Sequence, residues 1–271
     1  MTSATDITSK SYKKLHLRVA PTGFSYGCLD TLSNRFDVLS EITFPANDKS
    51  PVEELYQKAF AETPELKQKF DDVLVLHDNN LTTFVPKPLF DEEYLGSYLQ
   101  YNTQVFETDF FAFDEIPGYD MCNVYIPYVN LNNFLIDQYG PFTYKSMASV
   151  LVERLLNRSK NVEELQVYAH FGQKYFQLIV VQNQKLLLFN TFEYRAKEDF
   201  LYYLLFAAEQ LRLNPETFAL HLLGNVEEQS DFYAIAYKYV RYVSMLDMRE
   251  LSDFNGRTEQ ENRRHFVLLP V

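Results

Sequence analysis

One order of elements occurs twice along this chain, and that repetition constrains its fold more than any single motif. Leu15, Leu17 and Val19 alternate with His16 and Arg18, the period-two pattern of a strand with one buried face. Pro21-Thr22-Gly23 supplies a turn, a second strand carries Phe24, Tyr26 and Cys28 on one face, and a third follows Leu32-Ser33-Asn34 over 36–44. Together they predict an antiparallel meander. Ser50-Pro51-Val52-Glu53 reads as a capping box with proline at the first helical position, opening a helix to about Glu62. After a short helical turn near Pro64, the unbroken apolar run that follows Asp72 is the signature of a strand covered on both faces. From Leu165 the order returns. Leu165-Gln166-Val167-Tyr168-Ala169 leads into a turn at Phe171-Gly172-Gln173, then strands over 175–181 and 186–192, a helix over 197–213 and a buried strand over 218–223. A unit used twice predicts two similar sheets flanked by helices.

Between the copies, Asp91 caps a predicted helix over 92–101, with carboxylates in the first turn where the helix dipole favours them. Strands over 109–113 and 122–127, a helix over 131–139 stopped by Gly140-Pro141, a strand near 143–147 and a helix to about 157 follow. Phe232, Ile235, Ala236, Tyr239, Val240 and Val243 mark one face of a late helix. The apolar, β-prone run over 265–269 reads as a closing strand. The expected organisation is a disordered tail over 1–13, a first lobe with an inserted segment over 14–160, and a second lobe over 161–271. The charged stretch 157–164 marks the boundary.

Composition excludes several classes. With 37 Asp and Glu against 25 Lys and Arg, the net charge of -12 leaves no basic face to displace counterions from a nucleic acid. No apolar run approaches the roughly 18 residues needed to span a bilayer. Cys28 and Cys122 lie apart inside apolar runs and read as small buried hydrophobes. The polar start of the chain has no apolar h-region, so the expected location is cytoplasmic. No H-x-x-x-H, G-x-S-x-G or P-loop is present.

The duplicated unit, with a helix-Gly-strand-helix connector before the second copy, resembles the actin-like ATPase (ribonuclease H-like) fold. Its element order is similar to the type IV pilus-assembly and cell-division branch. The runs Leu15 to Asp30, Val73 to Leu89, Asn123 to Pro127 and Phe189-Asn190-Thr191-Phe192-Glu193-Tyr194 look like a bacterial family of unknown function with that fold. The resemblance implies α/β architecture: duplicated lobes, each a mixed sheet with an antiparallel three-strand meander, flanked by helices.

Active members of the superfamily bind Mg-nucleotide between two lobes, each offering an Asp-x-Gly turn. Glycine lets backbone N–H groups approach an anion, and the carboxylate suits Mg²⁺, which prefers hard oxygen ligands. In this chain the resemblance puts Ala20 at the first carboxylate position, with Pro21, Thr22 and Gly23 completing the turn. It puts His170 at the second, with Gly172 and Gln173 beside it, and leaves only Gly224-Asn225 of the adenosine-side glycine cluster. Imidazole is a poor Mg²⁺ ligand. The implied site is therefore degenerate: no cofactor is expected, and the expected role is a non-catalytic protein-binding or scaffold module, since the pilus-assembly relatives dock a peptide from a membrane partner. The alternative is an ATPase or kinase-like enzyme with atypical phosphate loops, which alone would take Mg-ATP.

The tyrosine surplus, 20 residues with no tryptophan, suggests where a partner or a second copy would bind. Tyr94, Tyr98 and Tyr101 are spaced along the predicted 92–101 helix, and Tyr233 and Tyr237 lie one turn apart. Either they edge the core or they form a partner-binding face. His77-Asp78 after the buried strand is a weaker candidate pair.

Overall fold

The computed structural model describes residues 10–101, 103–106 and 108–270, so residues 1–9 of the expected tail lie outside it. The backbone N–H groups of Ser11 and Tyr12 donate to the Asp71 carboxylate at 2.9 and 2.7 Å, and the first strand starts at Lys13.

Strands β1 (Lys13–Ala20), β2 (Gly23–Asp30) and β3 (Arg35–Thr43) form the first meander. Beside it β4 (Asp72–His77) runs parallel to β1. The small strands β5 (Thr82–Pro86), β6 (Ala112–Glu115) and β7 (Met121–Tyr125) make a separate antiparallel sheet in the order β5-β7-β6. The first sheet is closed by β8 (Thr143–Ser146), parallel to β4, giving the order β3-β2-β1-β4-β8. The second meander is β9 (Gln166–Phe171), β10 (Tyr175–Gln182) and β11 (Lys185–Glu193). Parallel strands β12 (Ala219–Gly224) and β13 (Tyr242–Met245) complete the order β11-β10-β9-β12-β13.

Helices α1 (Val52–Glu62) and α3 (Val129–Tyr139) belong to the first sheet, with the short α2 (Leu95–Leu99) in the insertion and α4 (Met147–Arg158) after β8. The second sheet has α5 (Lys197–Gln210) and α6 (Asp231–Tyr239), followed by α7 (Arg249–Asn255) and α8 (Glu259–Arg264). Each copy thus contains one more strand than the sequence pattern shows. What reads as a connector, α3 and β8, matches α6 and β13 in the second copy. Val243, expected on a helix face, lies in β13, a strand of four residues too short to display alternation.

Packing divides the chain into two compact units, Met1–Ser149 with Leu268–Val271, and Val150–Val267. The division falls within α4, whereas the charged stretch 157–164 was the expected boundary.

In the first unit Leu15, Leu17 and Val19 pack with Phe24, Tyr26 and Cys28 under Tyr56 and Phe60 of α1 and Phe134 of α3. The Phe60 ring lies 5.1 Å from both Phe24 and Phe134. In the second, Val167, Ala169 and Phe171 pack with Phe176, Leu178 and Val180 under Phe200 and Leu204 of α5. Phe200 sits 5.0 Å from Phe171 and 5.1 Å from Phe176. Each such buried side chain contributes on the order of 1.5–3 kcal/mol, so the apolar alternation read in the strands accounts for two separate cores. Both cysteines are free and buried, and burial pushes the Cys28 thiol up to about 11.

Several local expectations change. The Ser50 capping box does not form: Pro51 is the N-cap, and the Ser50 N–H is taken by Asp48 Oδ1 at 2.9 Å. The predicted 92–101 helix is a 3₁₀ turn, Glu92–Tyr94, followed by α2, although Asp91 does cap it through the Glu93 N–H at 3.0 Å. The run over 265–269 is a buried turn segment and not a strand. Its carbonyls are taken by side chains, Phe266 O by Arg154 at 2.7 Å and Leu268 O by the His16 ring at 2.7 Å, which leaves no ladder to form. Among the described residues no helix is long and apolar enough to cross a membrane.

Candidate functional site

The turn between β1 and β2 is the tightest available, with Ala20 paired to Gly23 across Pro21-Thr22. Gly23 has φ +145°, and a Cβ there would lie 2.2 Å from the Ile42 carbonyl oxygen, so glycine is required by the neighbouring strand. The Thr22 carbonyl accepts the Phe44 N–H at 2.8 Å. From α1 the Tyr56 hydroxyl accepts the Ala20 N–H at 3.1 Å and donates between the carbonyls of Ala20 at 2.9 Å and Gly23 at 3.0 Å. Burial raises the Tyr56 phenol well above its ordinary value, so it stays protonated. Behind the turn, the Arg18 guanidinium meets Ser25 Oγ at 2.9 Å, Glu41 at 3.1 Å and the buried Asp78 carboxylate at 3.8 Å.

In the second unit the corresponding hairpin closes with the Gly172 N–H donating to the Tyr175 carbonyl at 2.9 Å, leaving Gln173 and Lys174 exposed at its tip. The Tyr194 hydroxyl donates to the Gly172 carbonyl at 2.9 Å. Gly224 has φ +84° and its Cβ would fall 2.3 Å from the Phe171 carbonyl oxygen, which accepts the Asn225 N–H at 2.8 Å. His170 is buried, with Nδ1 2.8 Å from Gln177 Oε1. Five predicted residues, His170, Gly172, Gln173, Gly224 and Asn225, thus gather around Phe171, while Thr22 and Gly23 form the equivalent turn of the other unit.

Hydrogen bonding also gives the true correspondence between the copies. Asp78 N–H donates to Val19 O at 2.9 Å, and Asn225 N–H to Phe171 O at 2.8 Å, so Phe171 stands where Val19 stands. Gly172 therefore matches Ala20, and His170 matches Arg18. Letter similarity between Leu15 and Leu165 sets the copies two residues out of step. At the matched strand positions the side chains are a guanidinium and an imidazole. Asp78, the carboxylate beside the first turn, already faces Arg18 and corresponds to the neutral Asn225. This donor set does not fit Mg²⁺. No group of three or more His, Cys, Asp or Glu side chains is placed to hold a metal among the described residues.

The other candidates resolve into local structure. His77 accepts the Tyr128 N–H at Nδ1 (3.2 Å), so its Nε2–H donates to Asn132 Oδ1 at 3.0 Å, and burial pushes its pKa down to about 4. It is a neutral strut. Tyr98 donates to the Leu89 carbonyl and accepts the Asp91 N–H, both at 2.8 Å, which ties down the loop before α2. The Tyr233 hydroxyl donates to the Val243 carbonyl at 3.3 Å, and its ring stacks on Tyr237. Tyr94, Tyr101 and Tyr237 remain largely exposed, Tyr101 at 85%. Leu89, Phe106 and Phe110 are exposed as well, and Phe110 borders a groove of about 500 Å³ with Pro21, Val52 and Val129, edged by Glu53 and Asp109. Leu89, Phe106, Phe110 and Val129 were not among the candidate site residues of the sequence. Tyr56 and Tyr194 carried no local signal either, because their partners are backbone atoms of another element.

The two sheets and the doubled hairpin–helix–strand order define an actin-like ATPase fold. The chain is similar to a protein of that fold and of unknown function from Bacteroides thetaiotaomicron, with 21% identity, a TM-score of 0.80, and 92% of this chain and 98% of that chain covered. It is also similar to a chain of the PilM-PilN type IV pilus biogenesis complex, at 12% identity and a TM-score of 0.59, covering 94% of this chain and 96% of that one. A family model described as "Protein of unknown function (DUF3822)" matches residues 2–243, and the chain belongs to that family. No curated protein matches the chain.

Proposed function

We propose that this chain is a non-catalytic, protein-binding member of the actin-like ATPase fold. The observation that carries the reading is the chemistry at the matched strand positions: His170 stands where the resemblance expects a carboxylate for metal-assisted phosphoryl transfer, and its counterpart Arg18 is a guanidinium. Tyr56 and Tyr194 support it by engaging the backbone of the two turns from below. The protein-binding part is supported by the exposed side chains Leu89, Tyr94, Tyr101, Phe106 and Phe110, the last of which borders an apolar groove. A monomer rarely leaves such a surface uncovered without use. The acidic residues of the groove, Glu53 and Asp109, favour a partner segment that sets Lys or Arg beside apolar residues. The similar PilM is itself found in a complex with PilN.

Calorimetry of the full chain with Mg-ATP, together with a phosphate-release assay, tests the non-catalytic half. The expected result is no saturable binding at micromolar nucleotide and no turnover. Mg-dependent binding in that range would overturn it in favour of an ATPase or kinase-like enzyme with atypical loops.

A further inference from the structure

In the second unit Val167, Ala169, Leu220 and Leu222 point into the core under α5 and α6, so strand alternation turns Tyr168 and His221 to the opposite face of the sheet. The register sets Tyr168, His221 and Ser244 side by side across β9, β12 and β13. These polar side chains floor a pocket of about 580 Å³, within the usual range for a small-molecule site.

Most of that floor is internally satisfied. His221 Nε2 lies 2.7 Å from Gln166 Oε1 and so carries the proton, which leaves Nδ1 to accept the Ser244 hydroxyl at 3.0 Å. Burial, and then the nearby charge of Arg158, lower the His221 pKa to about 4 and keep the ring neutral. Tyr168 is the exception. It is 3% exposed and its ring packs 5.2 Å from that of His221, yet its hydroxyl has no hydrogen-bond partner among the described residues. The ring is buried while the hydroxyl oxygen is not fully enclosed, so it opens toward the pocket that Tyr168 lines.

The walls supply a cation to match. Arg249 is paired with Asp247 and Arg263 with Glu259, but Arg158 donates only to the Asp247 backbone carbonyl, at 2.6 Å, and makes no ion pair among the described residues. Its charge also acts on Tyr168, opposing the burial that raises the phenol. Glu228, likewise without an ion pair among the described residues, lies in the lining and disfavours polyanions.

We propose that this pocket binds a small, singly acidic organic ligand whose carboxylate or phosphate oxygens are taken by the Tyr168 hydroxyl and the Arg158 guanidinium. Guanidinium and phenol donors converging on one acid group make the charge-assisted contacts that fix such a ligand.

The test is calorimetric titration of the full chain with benzoate, phenyl phosphate and neutral benzamide, in the parent and in Tyr168→Phe and Arg158→Gln. Expected is saturable binding of at least one acid and none of benzamide, weakened about tenfold in each variant. Tyr168→Phe keeps the ring and removes only the unpartnered hydroxyl, so its unfolding midpoint matches the parent. The carboxylate and phosphate arms identify which acid group the site prefers. Absence of saturable binding by either acid, equal binding of benzamide, or unchanged affinity in either variant overturns the assignment.

Discussion

The Tyr56 hydroxyl accepts the Ala20 N–H at 3.1 Å and returns a hydrogen bond to the Ala20 carbonyl at 2.9 Å, so a helix side chain holds the end of β1 at the hairpin. The second copy reaches a similar arrangement from a different element, with Tyr194, which follows β11, bonded to Gly172. In both units a phenol is hydrogen-bonded to the backbone of the turn.

Replacing Tyr56 with Phe leaves the Ala20 N–H and two carbonyls without their buried partner. Leaving such groups unsatisfied costs about 1–3 kcal/mol. Urea unfolding followed by tyrosine fluorescence should show a loss of that size; a change under about 0.5 kcal/mol would mean that the turn does not depend on the hydroxyl.

Gly224→Ala should be much more damaging than Gly118→Ala. Both glycines have positive φ, which costs an alanine about 1 kcal/mol or more, but only at Gly224 does the new Cβ meet backbone, 2.3 Å from the Phe171 carbonyl. Thermal unfolding of the two variants side by side checks the difference. Equal midpoints would show that the close approach of β12 to β9 relaxes freely.

His77 and His221 both have folded pKa values pushed down to about 4 by burial. The unfolded chain, near 6.5, takes up protons first, so their stabilising contribution is complete above about pH 6.5 and is lost as pH falls toward 4. Below that both states bind the proton and the dependence levels off. Denaturation midpoints measured between pH 7 and 4 should fall, and less steeply in His77→Gln. An identical slope in that variant would show that His77 is not a source of the pH dependence.

Asp114 on β6 accepts the Ser146 N–H at 2.8 Å, the Ser149 hydroxyl at 2.5 Å and the Tyr125 hydroxyl at 3.3 Å, joining the small sheet to the start of α4. Hydrogen bonds to a charged acceptor contribute about 1.5–3 kcal/mol each. Asp114→Ala should therefore speed amide hydrogen exchange in β6 and β7 while β10 and β11 keep their protection. Unaltered exchange in β6 would show that the carboxylate does not anchor the sheet.

The tyrosines should separate into two sets. Tyr101→Ser and Tyr237→Ser, at exposed positions, should unfold within about 0.5 kcal/mol of the parent, whereas Tyr98→Phe should lose about 1 kcal/mol with its two backbone hydrogen bonds. Unfolding curves for the three distinguish surface available to a partner from side chains used by the fold.

Much of the fold was legible because alternation and turn residues are local. Leu15-Leu17-Val19, Pro21-Thr22-Gly23 and the run Val73 to Leu76 each announce their element within a few positions, and their order recurs after Leu165. The short strands β5 and β13 were misread or missed because five or fewer residues show no clear period, whereas β8 was read as a strand but placed in a connector. The predicted site residues were partly legible. Gly23 and Gly224 are required where they stand by clashes with the backbone of neighbouring strands, at Ile42 and Phe171.

The duplication, the fold class and the net charge of -12 follow from sequence alone, since pattern, order and charge count are properties of the chain itself. The correspondence of His170 with Arg18, the phenols at each turn and the open hydroxyl of Tyr168 do not. Each depends on which backbone groups meet across a sheet, and a two-residue difference in register, invisible in the letters, decides which side chain stands at the turn.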